Sequence, residues 1–198
     1  MKFNAIEFKS VIWRNAVIAF IGSLVLFQSC LEDPALEETV TEITIRFETS
    51  PLAGQSFETT TGQIQDEDLR YYPARNATRV FCQPLVETGN NRLSSSSSVN
   101  WGWEGVPSSG MHNAIFFNDP NEAVAGDVDL SFSNGDYINA SIPKNAGIQI
   151  DQYGLAGERV SGVMSFSAFT DYKYQGNKGQ QVVAVTIEFK IVRSPDQM

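Results

Sequence analysis

Trp101-Gly102-Trp103 places two aromatic rings either side of a glycine, the strongest hint of ligand chemistry in this chain. At i and i+2 of an extended segment the two rings point to one side. Presented to solvent, such a pair can stack on sugar rings, so a glycan is a candidate ligand. The plainer role is to plug the end of an apolar core. A second group is rich in oxygen: Asp119, Asn121, Glu122, Asp127 and Asp129. Calcium takes about six to eight such ligands. The spacing lacks the central glycine and final glutamate of an EF-hand loop, so a structural calcium competes there with a solvated acidic turn. No other cofactor is expected.

Catalytic constellations are harder to assemble. His112 is the single histidine, and no Gly-x-Ser-x-Gly elbow accompanies it, so a serine triad is not expected and His112 reads as a surface or loop residue. A zinc site would lack its usual His/Cys set. Glycoside hydrolysis needs only two carboxylates at the right distance, and the 23 acidic residues are too many for a count to choose among them. Glycine-rich phosphate loops are absent. Cys82 lies in the alternating run Arg79-Val80-Phe81-Cys82-Gln83, where a buried small hydrophobe is the expected role. The reading is therefore a binding or structural domain and not an enzyme.

The first forty residues speak to location. Lys2, Lys9 and Arg14 precede an uncharged run from Ala16 to Phe27, and Phe27-Gln28-Ser29-Cys30 ends it. A basic start, an apolar stretch of about 7–15 residues and a small residue before a cut describe a secretory signal. The run is shorter than the ~20 residues a spanning helix needs. Phe27-Gln28-Ser29-Cys30 resembles a bacterial lipobox, with Phe27 where that family more often has Leu. The following Glu32, Asp33, Glu37 and Glu38 resemble the acidic stretch of Bacteroidota lipoproteins. The resemblance implies cleavage after residue 29, acylation of Cys30, and a tether over 30–40. It also implies the outer membrane as location, on its periplasmic or its cell-surface face. Acylation by two or more chains gives a stable anchor without a transmembrane helix.

Composition narrows the partners. The net charge of −9, more negative still without the basic leader, argues against nucleic acid. The expected partners are the membrane, through the lipid, and a glycan or another envelope protein.

The elements that would position these residues are strands. Ile43, Ile45 and Phe47 alternate with Glu42, Thr44 and Arg46. From Ser50 to Asp68 no period survives, and a long loop with at most one short strand is expected. Tyr71-Tyr72 and Arg79 to Val86 restart the pattern, with Pro73 and Pro84 as breaks. The serine run Ser94 to Ser98 reads as a mobile surface loop, and Met111 to Asn118 as a strand closed by a turn at Asn118 to Glu122. Val128, Leu130 and Phe132 share a face, as do Ile138, Ala140 and Ile142. A two-residue Asn134-Gly135 turn would put those faces on opposite sides of the sheet. A three-residue turn, Ser133-Asn134-Gly135 with Gly135 left-handed, aligns Leu130 with Ile138 and Val128 with Ala140.

A longer hairpin pairs Val160–Ala168 with Val183–Ile191, and the polar stretch Asp171 to Gln180 reads as its loop. No stretch after the leader has a helical period. The expected fold is a single all-β domain over 41–198, an antiparallel β-sandwich or flattened barrel. The segments Gly157-Glu158-Arg159-Val160-Ser161-Gly162 and Val185-Thr186-Ile187-Glu188-Phe189 are similar to endings of uncharacterised Bacteroidota lipoproteins, a likeness that implies no activity.

Overall fold

A computed structural model describes residues 41–60, 66–83, 93–117, 124–144 and 146–196. Cys30, the tether and the turn at Asn118 to Glu122 lie outside them. Alternation of apolar and polar residues drives the described residues into eleven antiparallel strands. These are β1 (Glu42–Phe47), β2 (Gln55–Thr60), β3 (Asp66–Tyr72), β4 (Ala77–Gln83), β5 (Ser98–Glu104) and β6 (Gly110–Ile115). Then follow β7 (Val124–Ser131), β8 (Tyr137–Pro143), β9 (Gly147–Tyr153), β10 (Arg159–Tyr174) and β11 (Asn177–Val192). One turn of 3-10 helix, Pro73–Arg75, separates β3 from β4, where Pro73 forbids continuation of the strand.

The strands lie in the order β2-β1-β11-β10-β8-β7-β5-β4-β3. Two rows of this sheet are each made of two strands laid end to end. The first half of β10 pairs with β9 and the second half with β8. Likewise β5 pairs with β7 and then with β6. The sheet rolls around one core as a flattened barrel, which is why Trp101 on β5 meets Phe189 on β11 at 5.5 Å between ring centroids. Phe57 on β2 meets Phe132 beyond the end of β7 in the same way, at 5.5 Å. The backbone N–H of Ser194, just past β11, donates to Leu69 O on β3 and ties the last strand to the edge. Fully burying each Val, Ile, Leu or Phe of this core contributes about 1.5–3 kcal/mol.

The short hairpin forms as its face parity requires. Leu130 pairs with Ile138 and Val128 with Ala140. Gly135 takes φ 82°, and Phe132 and Asp136 close the three-residue turn through Phe132 N–H donating to Asp136 O. The all-β class is as expected, and so is the inward facing of Ile43, Ile45 and Phe47.

Other expectations need correction. Ser50 to Asp68 holds β2 and the start of β3, because Phe57 and Thr59 supply an inward face among polar neighbours. Asp171 to Gln180 is strand almost throughout. Tyr172 and Tyr174 turn inward, and only Gln175 and Gly176, both with positive φ, make the turn. The serine run is not wholly a surface loop. Ser97 is buried with its Oγ accepting from Ser131 N–H and donating to Ser131 O, while Ser98 begins β5. Strand β9 was not anticipated at all, although Ile148 and Ile150 alternate within it.

Candidate functional site

Strand β5 puts Trp101 and Trp103 on one side, as their spacing requires, and that side is the core. Neither ring has any exposure. Trp101 packs edge-on against Phe189, and Trp103 lies 6.3 Å from Tyr153 and 6.0 Å from His112. The expectation of a solvent-facing stacking platform is therefore overturned, and the pair fills the core. The backbone beside Trp101 is closely packed. Gly126 on β7 lies opposite Trp101, and a Cβ there would fall 2.0 Å from Asn100 O. Neither indole Nε1 meets an acceptor among the described residues.

His112, near the start of β6, braces a loop. Its Nδ1 lies 3.3 Å from Glu104 O and its Nε2 3.0 Å from Ser108 O. Cys82 is fully buried in β4, as expected.

Of the oxygen-rich group, Asp119, Asn121 and Glu122 lie outside the described residues. Asp127 and Asp129 stand on the outer face of β7, both half-buried. Register gives each a neutral neighbour on both sides: Asp127 lies between Asn100 and Ser141, Asp129 between Ser98 and Asn139. Farther along the first row stands Phe169, opposite Ser141. Burial pushes the Asp127 carboxyl up to about 6, helped by the adjacent Asp129 charge and opposed by a hydrogen bond from Asn100. Burial raises Asp129 as well. Two crowded carboxylates of this kind can share a proton or accept from hydroxyl and amine donors. Among the described residues no three His, Cys, Asp or Glu side chains gather as metal ligands, so Asp127 and Asp129 supply only part of a calcium shell.

The same wet surface is hollowed elsewhere. A groove of about 390 Å³ crosses β1, β11, β10 and β9, lined by Glu42, Thr44, Asp151, Ser161, Val163, Glu188 and Lys190. Its floor is the backbone at Gly162 and Phe189. A bulge makes it concave. Ser161 pairs with Gln152 and Gly162 with Ile150, leaving Asp151 as the extra residue. Gly162 is required beside the bulge, since a Cβ would fall 2.4 Å from Gln149 O.

The rim charges are paired. Lys190 Nζ donates to Glu42 Oε2 at 3.1 Å, and Arg46 bonds the Glu188 carboxylate. Asp151 is exposed and left to face solvent. The groove therefore offers carboxylate acceptors, an ammonium donor and two hydroxyls within one ring-sized volume, at the small end of ligand pockets.

Sequence reasoning picked out none of the groove residues as a site. The alternation of Ile148 and Ile150 could have exposed β9, but not the bulge, which depends on the partner strand. Comparison of the chain with protein-family models, with curated proteins and with solved structures finds no match.

Proposed function

We propose that the chain is an outer-membrane lipoprotein, held through an acylated Cys30, whose single β-domain is a non-catalytic binding module. The order of the first forty residues carries this reading: basic start, uncharged run, Phe27-Gln28-Ser29-Cys30, acidic tether. Intact mass and detergent partitioning of the native protein beside Cys30→Ser test it. The expected product lacks residues 1–29, carries added diacylglycerol and partitions into detergent, and the variant loses both properties. An unlipidated, water-soluble native product overturns the anchor.

The groove favours one ligand class for the module. Its mixture of donors and acceptors suits a polyhydroxylated ring, so a glycan-binding accessory role rests on Asp151, Ser161 and Thr44 and no longer on the buried tryptophans. Binding on a glycan array that falls at least tenfold in Asp151→Ala/Ser161→Ala supports it. Unchanged binding in that variant removes the groove from the reading.

A further inference from the structure

Five large apolar side chains are strongly exposed among the described residues, and four of them fall into two groups. Phe169 and Val182 are cross-strand partners on β10 and β11. Val106 and Leu155, exposed by 63 and 71 %, belong to loops toward the opposite end, and Met111, exposed by 69 %, lies on the wall of β6 with its methyl over Gly147. From Arg159 to Phe169 a strand covers roughly 33 Å, so one flat surface at the first end cannot meet both groups.

Hydrogen bonds join the Leu155 end to the point where the tether arrives. Thr41 Oγ1 accepts from Val192 N–H at 3.2 Å. The next residue, Arg193, donates its N–H to Glu158 O and accepts from Gly157 N–H, both at 2.8 Å. The turn Leu155–Glu158 is thus bonded to the residue following the partner of Thr41. It is closed on itself as well. Glu158 N–H donates to Leu155 O at 2.9 Å, and Leu155 N–H donates to Glu158 Oε2 at 2.7 Å. Beside it, β6 starts with Gly110 opposite Ile150, so the chain before Gly110 runs past the end of β9 toward Tyr153. That chain carries Val106. It is held by Gly105 N–H donating to Asn76 O at 2.8 Å and by the His112 ring. Two hydrogen-bonded loops therefore each present one aliphatic side chain to solvent at a single end.

We propose that this end, with Leu155 and Val106, rests in the lipid interface of the membrane that holds Cys30. The inference depends on the anchoring reading above. Whatever its conformation, the chain from Cys30 to Thr41 reaches no more than about 40 Å, so this end is the one the anchor brings within reach of the bilayer. The far tip of the β10–β11 hairpin is roughly 50 Å along the strands and stands away. Short reach turns a small apolar patch into an effective contact, because the anchor has already met the cost of bringing the surfaces together.

The test uses the full-length protein reconstituted into phosphatidylethanolamine–phosphatidylglycerol vesicles. Leu155→Cys, Val106→Cys and Gln175→Cys, each in a Cys82→Ala background, carry an environment-sensitive fluorophore. Intact mass reports lipidation of the same samples. Quenching by nitroxide-bearing lipids is expected to be several-fold stronger at positions 155 and 106 than at 175, with emission shifted to the blue. A Leu155→Asp/Val106→Asp variant should lose quenching of a probe at Ala156→Cys, in the same turn. Water-like emission at all three positions in lipidated protein overturns the proposal, as does a blue shift that requires added envelope protein. A sample without lipid on Cys30 overturns the anchoring reading itself.

Discussion

Strand β10 runs through two polar surfaces that solve the same problem differently. Beside its first half, on the groove, register sets Lys190 opposite Glu42, and Arg46 reaches Glu188. Beyond its second half, on the outer face of β7, register sets Asp127 and Asp129 between neutral amides and hydroxyls. No described cation pairs with either carboxylate. Cross-strand neighbours decide whether a charge is balanced within the fold or must look outside it. The groove is electrostatically finished except at Asp151. The carboxylate pair is not, and burial, with the repulsion of Asp129, favours a proton on Asp127. Both surfaces nevertheless stand on one foundation, since Trp101 lies under the first row and packs on Phe189 beneath the groove floor.

Removing that foundation should damage both regions at once. Trp101→Ala is expected to cost about 3–5 kcal/mol by urea denaturation. Trp101→Phe should cost much less, because the indole N–H it deletes has no partner to lose. A loss confined to one surface would mean that the two are independent.

The glycines separate them. Gly126→Ala strikes the Asn100 carbonyl beside the carboxylates, whereas Gly162→Ala strikes the Gln149 carbonyl under the groove. Each should cost about 2–3 kcal/mol, with Gly126 the worse because its clash is closer. Ligand binding in the groove should suffer only from the second. Equal loss of binding in both variants would erase the distinction.

Titration sharpens it further. The Asp127 carboxyl is raised in the fold to about 6 from 3.8. The folded chain therefore binds a proton as pH falls from 7 toward 5, while the unfolded chain does not until lower pH. Stability from this group increases on acidification and is lost as pH rises through about 6. Asp127→Asn should stabilise the protein at pH 7 by about 1 kcal/mol, a figure discounted for its partial exposure, and should flatten that pH dependence. Nuclear magnetic resonance titration of the carboxyl carbons reads the same proton directly. The smallest effect is expected at the groove rim. A Glu42→Ala/Lys190→Ala double-mutant cycle should give under about 1 kcal/mol, fading with added salt.

How much of this was legible in the sequence follows from what each feature depends on. The three-residue turn at 133–135 could be worked out because two apolar faces had to land on the same side. Strand β1 was legible because Ile43, Ile45 and Phe47 alternate without interruption. The end of the long hairpin was not, since the inward Tyr172 and Tyr174 sit in a stretch whose polarity imitates a loop. For Trp101 and Trp103, spacing fixed that the rings agree in direction, but only the partner strands decide which direction is the core. The groove was hidden for the same reason. A bulge at Asp151 is a mismatch between two strands, and a single strand does not record it.

The pairing of β1 with β11 sets the order of events in synthesis. Glu42 opposes Lys190 and Phe47 opposes Val185, so the first strand made waits for the last. Closing so long a loop carries an entropic cost that must be met before the contact returns anything, and such topologies fold slowly. β2 waits as well, because its only strand partner among the described residues is β1. A chain that lacks β11 thus holds Ile43, Ile45, Phe47 and Phe57 without their strand partner. A chain ended before β11 should leave those strands as exposed, aggregation-prone edges.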